Sequence, residues 1–202
     1  MLVASTGQKP AGYAVLRRTS DWDDRNNPQG ELKVIELTCT DSVVLAALAT
    51  RLLDMDLIGK VKIRGRSIED PLLWWAGGPR TAACTVTDGL WLCLVDLPGA
   101  LAQRGYAGAV DLVLEVSDDF CPWNAGRWRL VVGAEGVGSC QATRADADVK
   151  LPVQVLAAAY AGGRSIAAQA AAGLVTELSP GAVVALSRAM RGDLEPFGAI
   201  GF

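Results

Sequence analysis

Residues 110–132, with the sequence VDLVLEVSDDFCPWNAGRWRLVV, decide the fold of the second half of this 202-residue chain. Apolar and polar residues alternate on both sides of a turn, which is the period of a strand with one buried face. The alternating apolar positions are Leu112, Leu114 and Val116 before the turn, and Trp128, Leu130 and Val132 after it. The turn spans residues 121–126, and Pro122 and Asn124 are typical turn residues. The stretch therefore predicts two strands joined by a turn.

The residues on either side of this hairpin predict a sheet followed by helices. Residues 90–97 are apolar on both faces, which predicts a central strand, and Pro98 opens a short helix that ends near Arg104. A further strand is expected near Gln141. Three helices are expected after it, one from near Pro152 to Gly162, one from a Ser165 cap to Gly173, and one from Ser179 and Pro180 to Gly192. This order predicts an α+β fold.

The first 80 residues predict a smaller α/β unit. The expected elements are strands at residues 12–16, 31–37 and 60–64, a helix from an Asp41 cap to about Leu53, and a short helix from Asp70 and Pro71. The Asp-, Asn- and Gly-rich stretch at residues 21–30 predicts a loop between the first two strands. Gly77, Gly78 and Pro79 separate this unit from the hairpin region.

Composition excludes several classes of protein. Half of the residues are apolar and the net charge is −3, without a basic block, so we expect a globular protein with no nucleic-acid partner. The chain contains no histidine, which excludes Ser-His-Asp and Cys-His catalytic groups within it. Its five cysteines form no CxxC pair, so we expect no metal site.

The same cysteines, few, scattered and odd in number, are typical of a reducing compartment. The first ten residues lack the pattern of a signal peptide. The Ala-rich stretch at residues 153–175 is interrupted by Gly162 and Gly163 and carries Arg164, so no membrane span is expected. We therefore expect a soluble, cytoplasmic protein.

A series of short motifs carries a resemblance to a known family. In chain order they are Gly-Tyr-x-x-x-x-Arg (12–18), Asp-Met-Asp-Leu (54–57), Glu-Asp-Pro-Leu-Leu (69–73), Thr-Asp-Gly-Leu-Trp-Leu (87–92), Leu-Val-Asp-Leu-Pro (94–98), Cys-Pro-Trp-Asn-x-Gly-Arg-Trp (121–128), Ala-Tyr-x-Gly-Gly (159–163) and a final Phe202. Each motif is weak alone, but together they follow one order and cover essentially the whole chain. On these residues the chain resembles the Eis (enhanced intracellular survival) family of N-acetyltransferases.

The resemblance implies a domain organisation. Residues 1–80 would be the C-terminal part of a second, degenerate GNAT-like domain, and residues 81–202 a sterol-carrier-protein-like domain. The family also has an acetyl-CoA-binding GNAT domain with an Arg/Gln-x-x-Gly-x-Gly/Ala loop for the pyrophosphate. The glycine-bearing residues 133–138 lack this pattern, and Glu135 among them would repel a pyrophosphate. We therefore expect acetyl-CoA to be bound by an N-terminal domain that this chain lacks, and no cofactor-binding residue here.

The resemblance also implies a reaction and a catalytic group. Acetyl would pass from acetyl-CoA to an amine of an aminoglycoside, a polyamine or a lysine, in an assembly of several copies of the chain. The terminal carboxylate of Phe202 would be the base, since burial in an apolar tail raises the pKa of an α-carboxyl from about 3.3–3.7. Gly201 stands where relatives often have an acid, so Glu195 or Asp193 would take over the contact with a cationic amine.

Three further residues are implied at the substrate cavity: Asp119, Trp123 and Asn124. An acid beside an aromatic wall suits a cationic amine. The alternative is that Asn124 shapes the turn and Trp123 packs against a neighbouring domain. Trp74 and Trp75 are expected in the core or an interface.

Two other functions remain open from the residues alone. The chain could be a separate sterol-carrier-like module that binds an apolar ligand, since its second half is apolar and rich in predicted helices. It could also be a scaffold for assembling subunits.

Overall fold

A computed structural model describes residues 1–198 of the chain. The chain divides into two compact units, whose main bodies are Met1–Thr87 and Asp88–Pro196. Each unit contains one mixed sheet with helices packed on it, so the predicted α+β class is confirmed.

The first unit is a four-stranded sheet in the order β1-β2-β3-β4. Its elements are β1 (Leu2–Thr6), β2 (Lys9–Arg18), β3 (Glu31–Cys39), α1 (Ser42–Leu53), β4 (Lys60–Ile63) and α2 (Pro71–Trp75). Strand β2 is antiparallel to both β1 and β3, whereas β4 is parallel to β3. A parallel pair needs a crossover connection, and α1 lies in that connection.

Helix α1 forms where the sequence predicts it. The Asp41 carboxylate accepts hydrogen bonds from the N–H groups of Val43 and Val44, both at 2.9 Å, and so caps the first turn. The predicted apolar stripe is buried, and it consists of Val44, Leu48 and Leu52. These side chains share one apolar core with Leu32 and Val34, which are buried residues of β3.

The second unit is a five-stranded sheet in the order β7-β6-β5-β8-β9. Its elements are α3 (Leu97–Gln103), β5 (Val110–Ser117), β6 (Gly126–Val132), β7 (Gly138–Ala142), β8 (Val149–Pro152), α4 (Val153–Tyr160), α5 (Ile166–Ala171), β9 (Thr176–Glu177) and α6 (Ala182–Ala189). The predicted hairpin is confirmed: β5 and β6 are antiparallel, with Leu114 opposite Trp128. A 3₁₀ turn, Pro122–Asn124, lies in the connection.

One face of this sheet forms the core of the second unit. Leu114 of β5 and Leu130 of β6 are fully buried against the helices. The fully buried helical leucines in the same core are Leu97, Leu101, Leu156 and Leu186. The three predicted C-terminal helices are present, and the Ser165 hydroxyl caps α5 by accepting the N–H of Ala168 at 3.2 Å.

The predicted central strand at residues 90–97 is wrong. Residues 90–96 belong to no strand, Leu97 begins α3, and Trp91 is 84% exposed. The Asp96 side chain accepts the N–H of Gly99 at 3.2 Å and so caps the N-terminus of α3. A continuous apolar run without alternation does not by itself indicate a strand. Here the Trp123 and Asn124 side chains from the β5–β6 connection donate hydrogen bonds to the backbone carbonyls of this run.

Three short strands were not predicted from the sequence: β1, β8 and β9. Strands β8 and β9 have four and two residues, too few for a period of two to be recognised. Among residues 1–198, no helix is long and apolar enough to cross a bilayer. The same residues contain no cluster of three or more side chains that could hold a metal ion.

Candidate functional site

The connection between β5 and β6, residues 118–124, carries three of the predicted substrate residues, and we name it the turn platform. At its centre, the Asn124 side chain is completely buried. Its amide nitrogen donates to the carbonyl of Leu94 at 2.8 Å and to the Asp118 carboxylate at 2.9 Å. Its amide oxygen accepts the N–H of Leu97 at 2.9 Å. Asn124 therefore joins the turn platform to the segment that leads into α3.

Asp118, which the sequence analysis missed, holds the other side of this network. Its carboxylate is buried and accepts the N–H groups of Cys121 at 2.8 Å and Phe120 at 3.0 Å. Burial raises the pKa of Asp118, but the hydrogen bonds from Cys121, Asn124 and Phe120 outweigh burial and keep the pKa below its usual value. An Asp followed by backbone donors two and three residues later is the local signal that could have identified it.

Three exposed side chains of the turn platform form what we call the acid-aromatic surface: Asp119, Phe120 and Trp123. Phe120 is 79% exposed and Trp123 is 65% exposed. The Trp123 indole N–H donates to the carbonyl of Val95 at 2.7 Å, which fixes one edge of the ring. An aromatic face and a carboxylate on one short turn can attract a cation. Sequence analysis missed Phe120, since nothing in its position distinguishes it from a core residue.

The predicted substrate residues differ in their exposure to solvent. Asp119 and Trp123 are exposed, so their proposed contact with substrate stays a prediction. Asn124 uses its amide for hydrogen bonds inside the second unit, as its alternative role in shaping the turn requires. Phe202 and Gly201 lie outside the described residues. Trp74 and Trp75 are exposed within the first unit, at 78% and 51%.

Glu195 is paired within the second unit. The Arg191 guanidinium donates to the Glu195 carboxylate at 2.9 Å and to the carbonyl of Gly163 at 3.0 Å. The proposed contact of Glu195 with a cationic amine stays a prediction, and Asp193 is exposed beside this pair. The Arg191–Glu195 pair ties the segment after α6 to the connection between α4 and α5.

Two glycines give that segment its position, and we name them the glycine seat: Gly162 and Gly163. Gly162 has a φ of +93°, and its carbonyl accepts the N–H of Gly192 at 3.1 Å. A Cβ added at Gly163 would lie 2.5 Å from the Glu195 carboxylate and overlap the ring of Pro196. The returning chain therefore packs where only a glycine leaves room.

Models of two protein families match the chain. The Acetyltransferase (GNAT) domain matches residues 1–92, and the Sterol carrier protein domain matches residues 97–198. Our expectation that this chain lacks the acetyl-CoA-binding GNAT domain was therefore wrong, because residues 1–92 match the GNAT domain. The boundary near residue 80 and the assignment to a second, degenerate copy stay predictions.

Known relatives match along nearly the whole chain. A protein named as an uncharacterized N-acetyltransferase from Streptomyces avermitilis is 37% identical over 201 residues, which are 100% of this chain and 49% of that protein. N-acetyltransferase Eis from Mycobacterium tuberculosis is 34% identical over 167 residues, which are 81% of this chain and 38% of that protein. The crystal structure of Eis1 from Mycobacterium abscessus has a TM-score of 0.74 at 30% identity, covering 94% of this chain and 48% of that one. The chain spans about half the length of these relatives.

GNAT acetyltransferases use acetyl-CoA, whose pyrophosphate is suited to free N–H groups at a helix N-terminus. In the first unit we tested the N-terminus of α1 for this role. The Asp41 carboxylate already accepts the N–H groups of Val43 and Val44 there. These hydrogen bonds, with that from Thr40, keep the pKa of Asp41 low, so its negative charge persists at this end of the helix. The N-terminus of α1 therefore does not fit a pyrophosphate.

Proposed function

Because this chain belongs to the Eis-like GNAT N-acetyltransferases that carry a C-terminal sterol-carrier-protein-like domain, we propose that it serves in transferring an acetyl group from acetyl-CoA to an amine. The observation that supports a direct part in amine recognition is the acid-aromatic surface. Its two large rings are exposed, and a buried hydrogen-bond network fixes the turn that carries them.

The chemistry of this surface favours a cationic amine as the substrate. Asp119 supplies a negative charge, and the Trp123 face attracts an ammonium group with about 0.5–1 kcal/mol at an exposed position. Phe120 adds apolar area for the carbon skeleton that bears the amine. An aminoglycoside, a polyamine and a lysine side chain all present this combination, and we propose that the substrate comes from these classes.

For the base, we propose the terminal carboxylate of Phe202, which lies outside the described residues. The glycine seat and the Arg191–Glu195 pair support this role, because they fix the chain a few residues before Phe202. A base assists proton removal from the attacking amine, and losing it costs about 10²–10⁴-fold in rate. Extending the chain by three residues beyond Phe202 displaces the carboxylate, so transfer should fall by about that factor. An equal extension at Met1 is the control, and equal rates for both proteins would contradict the assignment.

The experiment for the proposed reaction is an acetyl-transfer assay on the full 202-residue chain. The chain is mixed with acetyl-CoA and, in turn, an aminoglycoside, spermidine, a lysine-containing peptide and an uncharged alcohol. Release of the CoA thiol above background with at least one amine, and none with the alcohol, is the expected result. No release with any amine would contradict a transferase activity of this chain.

A second candidate function is the binding of an apolar ligand, favoured by the match of residues 97–198 to the sterol carrier protein domain. Against it, the helix–sheet interior of this unit is filled by fully buried side chains such as Leu114, Leu130 and Leu156. Titration of delipidated chain with a fluorescent acyl probe distinguishes the two functions. Saturable binding would favour the carrier, and none is expected from the packed core. Assembly of several copies is a further proposal, which light scattering tests.

A further inference from the structure

Two of the five cysteines lie on segments of the second unit that hydrogen bonds join to each other. Cys121 directly precedes the 3₁₀ turn of the turn platform and is buried, whereas Cys93 is exposed on the segment before α3. Burial is the largest cause that raises the pKa of the Cys121 thiol, followed by the Asp118 charge and then by the neighbouring Cys93 thiol. The Cys93 thiol is therefore one of the groups that influence the Cys121 thiol.

Hydrogen bonds hold the segment that contains Cys93 against the turn platform. Immediately after Cys93, the carbonyls of Leu94 and Val95 accept hydrogen bonds from Asn124 and Trp123, at 2.8 and 2.7 Å. On the other side, the N–H of Cys121 donates to Asp118 at 2.8 Å. The residues next to both cysteines thus belong to one hydrogen-bond network, which holds the two segments together.

We propose that Cys93 and Cys121 are a site of oxidative modification, at which a peroxide converts the two thiols to a disulfide. The Cys93 thiolate, which is exposed, attacks one peroxide oxygen and becomes a sulfenic acid while water leaves. The Cys121 thiol then attacks the Cys93 sulfur and gives up its proton, the S–S bond forms, and the sulfenic oxygen leaves with that proton as a second water. In balance, two thiols and one hydrogen peroxide give one disulfide and two waters.

The bond would add a covalent link to the hydrogen bonds that connect the two segments. It would fix residues 90–95 to the turn platform, whose acid-aromatic surface it leaves in place. A cross-link that closes a loop in the folded state stabilises the protein against unfolding. Oxidised chain should therefore melt several degrees above reduced chain, and dithiothreitol should reverse the shift.

Peptide mapping tests the pairing directly. Trypsin leaves Cys84 and Cys93 on one peptide, residues 81–104, and Cys121 on the next, residues 105–127. The variant Cys84→Ser leaves Cys93 alone on its peptide, and Cys93→Ser leaves Cys84, which is also exposed, as the matched control. Each full-length protein is treated with hydrogen peroxide, alkylated, digested without reductant and weighed by mass spectrometry.

In Cys84→Ser we expect the two peptides joined, with the mass of two hydrogens lost, and separated by dithiothreitol. In Cys93→Ser we expect no such link. A link of equal yield in both variants would overturn the proposal, because Cys84 could then serve as well. Cys93 oxidised only to sulfinic or sulfonic acid in Cys84→Ser, without the link, would overturn it too.

Discussion

The turn platform and the Asp21–Asn27 part of the first unit's loop contain the same kinds of residues and use them differently. Each has an aspartate that binds backbone N–H groups, an asparagine that binds this aspartate, and an exposed tryptophan. In the loop, Asp23 binds Arg25 and Asn27, all within five residues and exposed to water. In the turn platform, Asn124 is completely buried and reaches residues 27 and 30 positions away.

This difference teaches what turns a local turn into a platform. A hydrogen bond between near neighbours in water replaces one with solvent and adds little net stability. A buried amide that satisfies two backbone groups of a distant segment cannot be replaced by water without moving that segment. The exposed Trp123 is therefore carried by a fixed backbone, whereas Trp22 is carried by a solvated loop.

The largest expected difference is between the variants Asn124→Ala and Asn27→Ala. Asn124→Ala leaves the N–H of Leu97 and the carbonyl of Leu94 without their partner, which we expect to cost about 3 kcal/mol of unfolding free energy. Asn27→Ala removes one exposed hydrogen bond and should cost less than about 0.5 kcal/mol. Urea unfolding, with amide exchange of β2 and β5, measures both. Equal losses would break the comparison.

The glycine seat is a second long-range contact, and it extends the comparison between long-range and local contacts. Gly163→Ala pushes a methyl group against Glu195 and Pro196, which we expect to cost about 1–3 kcal/mol. Gly133→Ala is the matched control, because no atom lies within 4 Å of the Cβ that it would add. The midpoint of urea unfolding and amide exchange of residues 191–195 report the change. A Gly163→Ala protein as stable as Gly133→Ala would show that the seat is not tightly packed.

The two aspartates should differ in how stability depends on pH. The folded pKa of Asp118 lies below the unfolded value of about 3.9, so its ionised form stabilises the fold above that pH. This stability is lost as the pH falls through the folded pKa. Asp118→Asn should therefore flatten the fall of Tm between about pH 5 and 2, and it should also lower Tm at neutral pH. For Asp23, whose pKa is lowered chiefly by the Asn27 side chain, Asp23→Asn should change Tm at neutral pH far less.

An unchanged acid dependence in Asp118→Asn would contradict the role given to its carboxylate. Other carboxyls with a lowered pKa, such as those of Asp41 and Asp111, remain in every variant. Their contribution is therefore the same on both sides of each comparison. Circular dichroism at several pH values is sufficient for the measurement.

Much of the fold could be predicted from local sequence. The β5–β6 hairpin followed from alternation, and α1 followed from its Asp41 cap and apolar stripe. Residues 90–97 could not be placed, since a continuous apolar run carries no period, and the groups that bind its backbone come from Trp123 and Asn124 far along the chain. Asp118 carries a local turn signal in its hydrogen bonds to Phe120 and Cys121, but its burial depends on the fold. The contact between Arg191 and Gly163, like the glycine seat itself, likewise appears only when the chain returns on itself.

The central claim, that the acid-aromatic surface recognises a cationic amine, is tested most directly by calorimetric titration of the full chain with spermidine. Trp123→Ala should weaken binding about two- to fivefold, the loss of about 0.5–1 kcal/mol expected for one exposed cation–aromatic contact. Trp22→Ala is the matched control, because Trp22 is also an exposed tryptophan beside an acidic turn, and it should leave the affinity unchanged. Equal affinities for Trp123→Ala and the unaltered chain, or equal losses in both variants, would contradict the account.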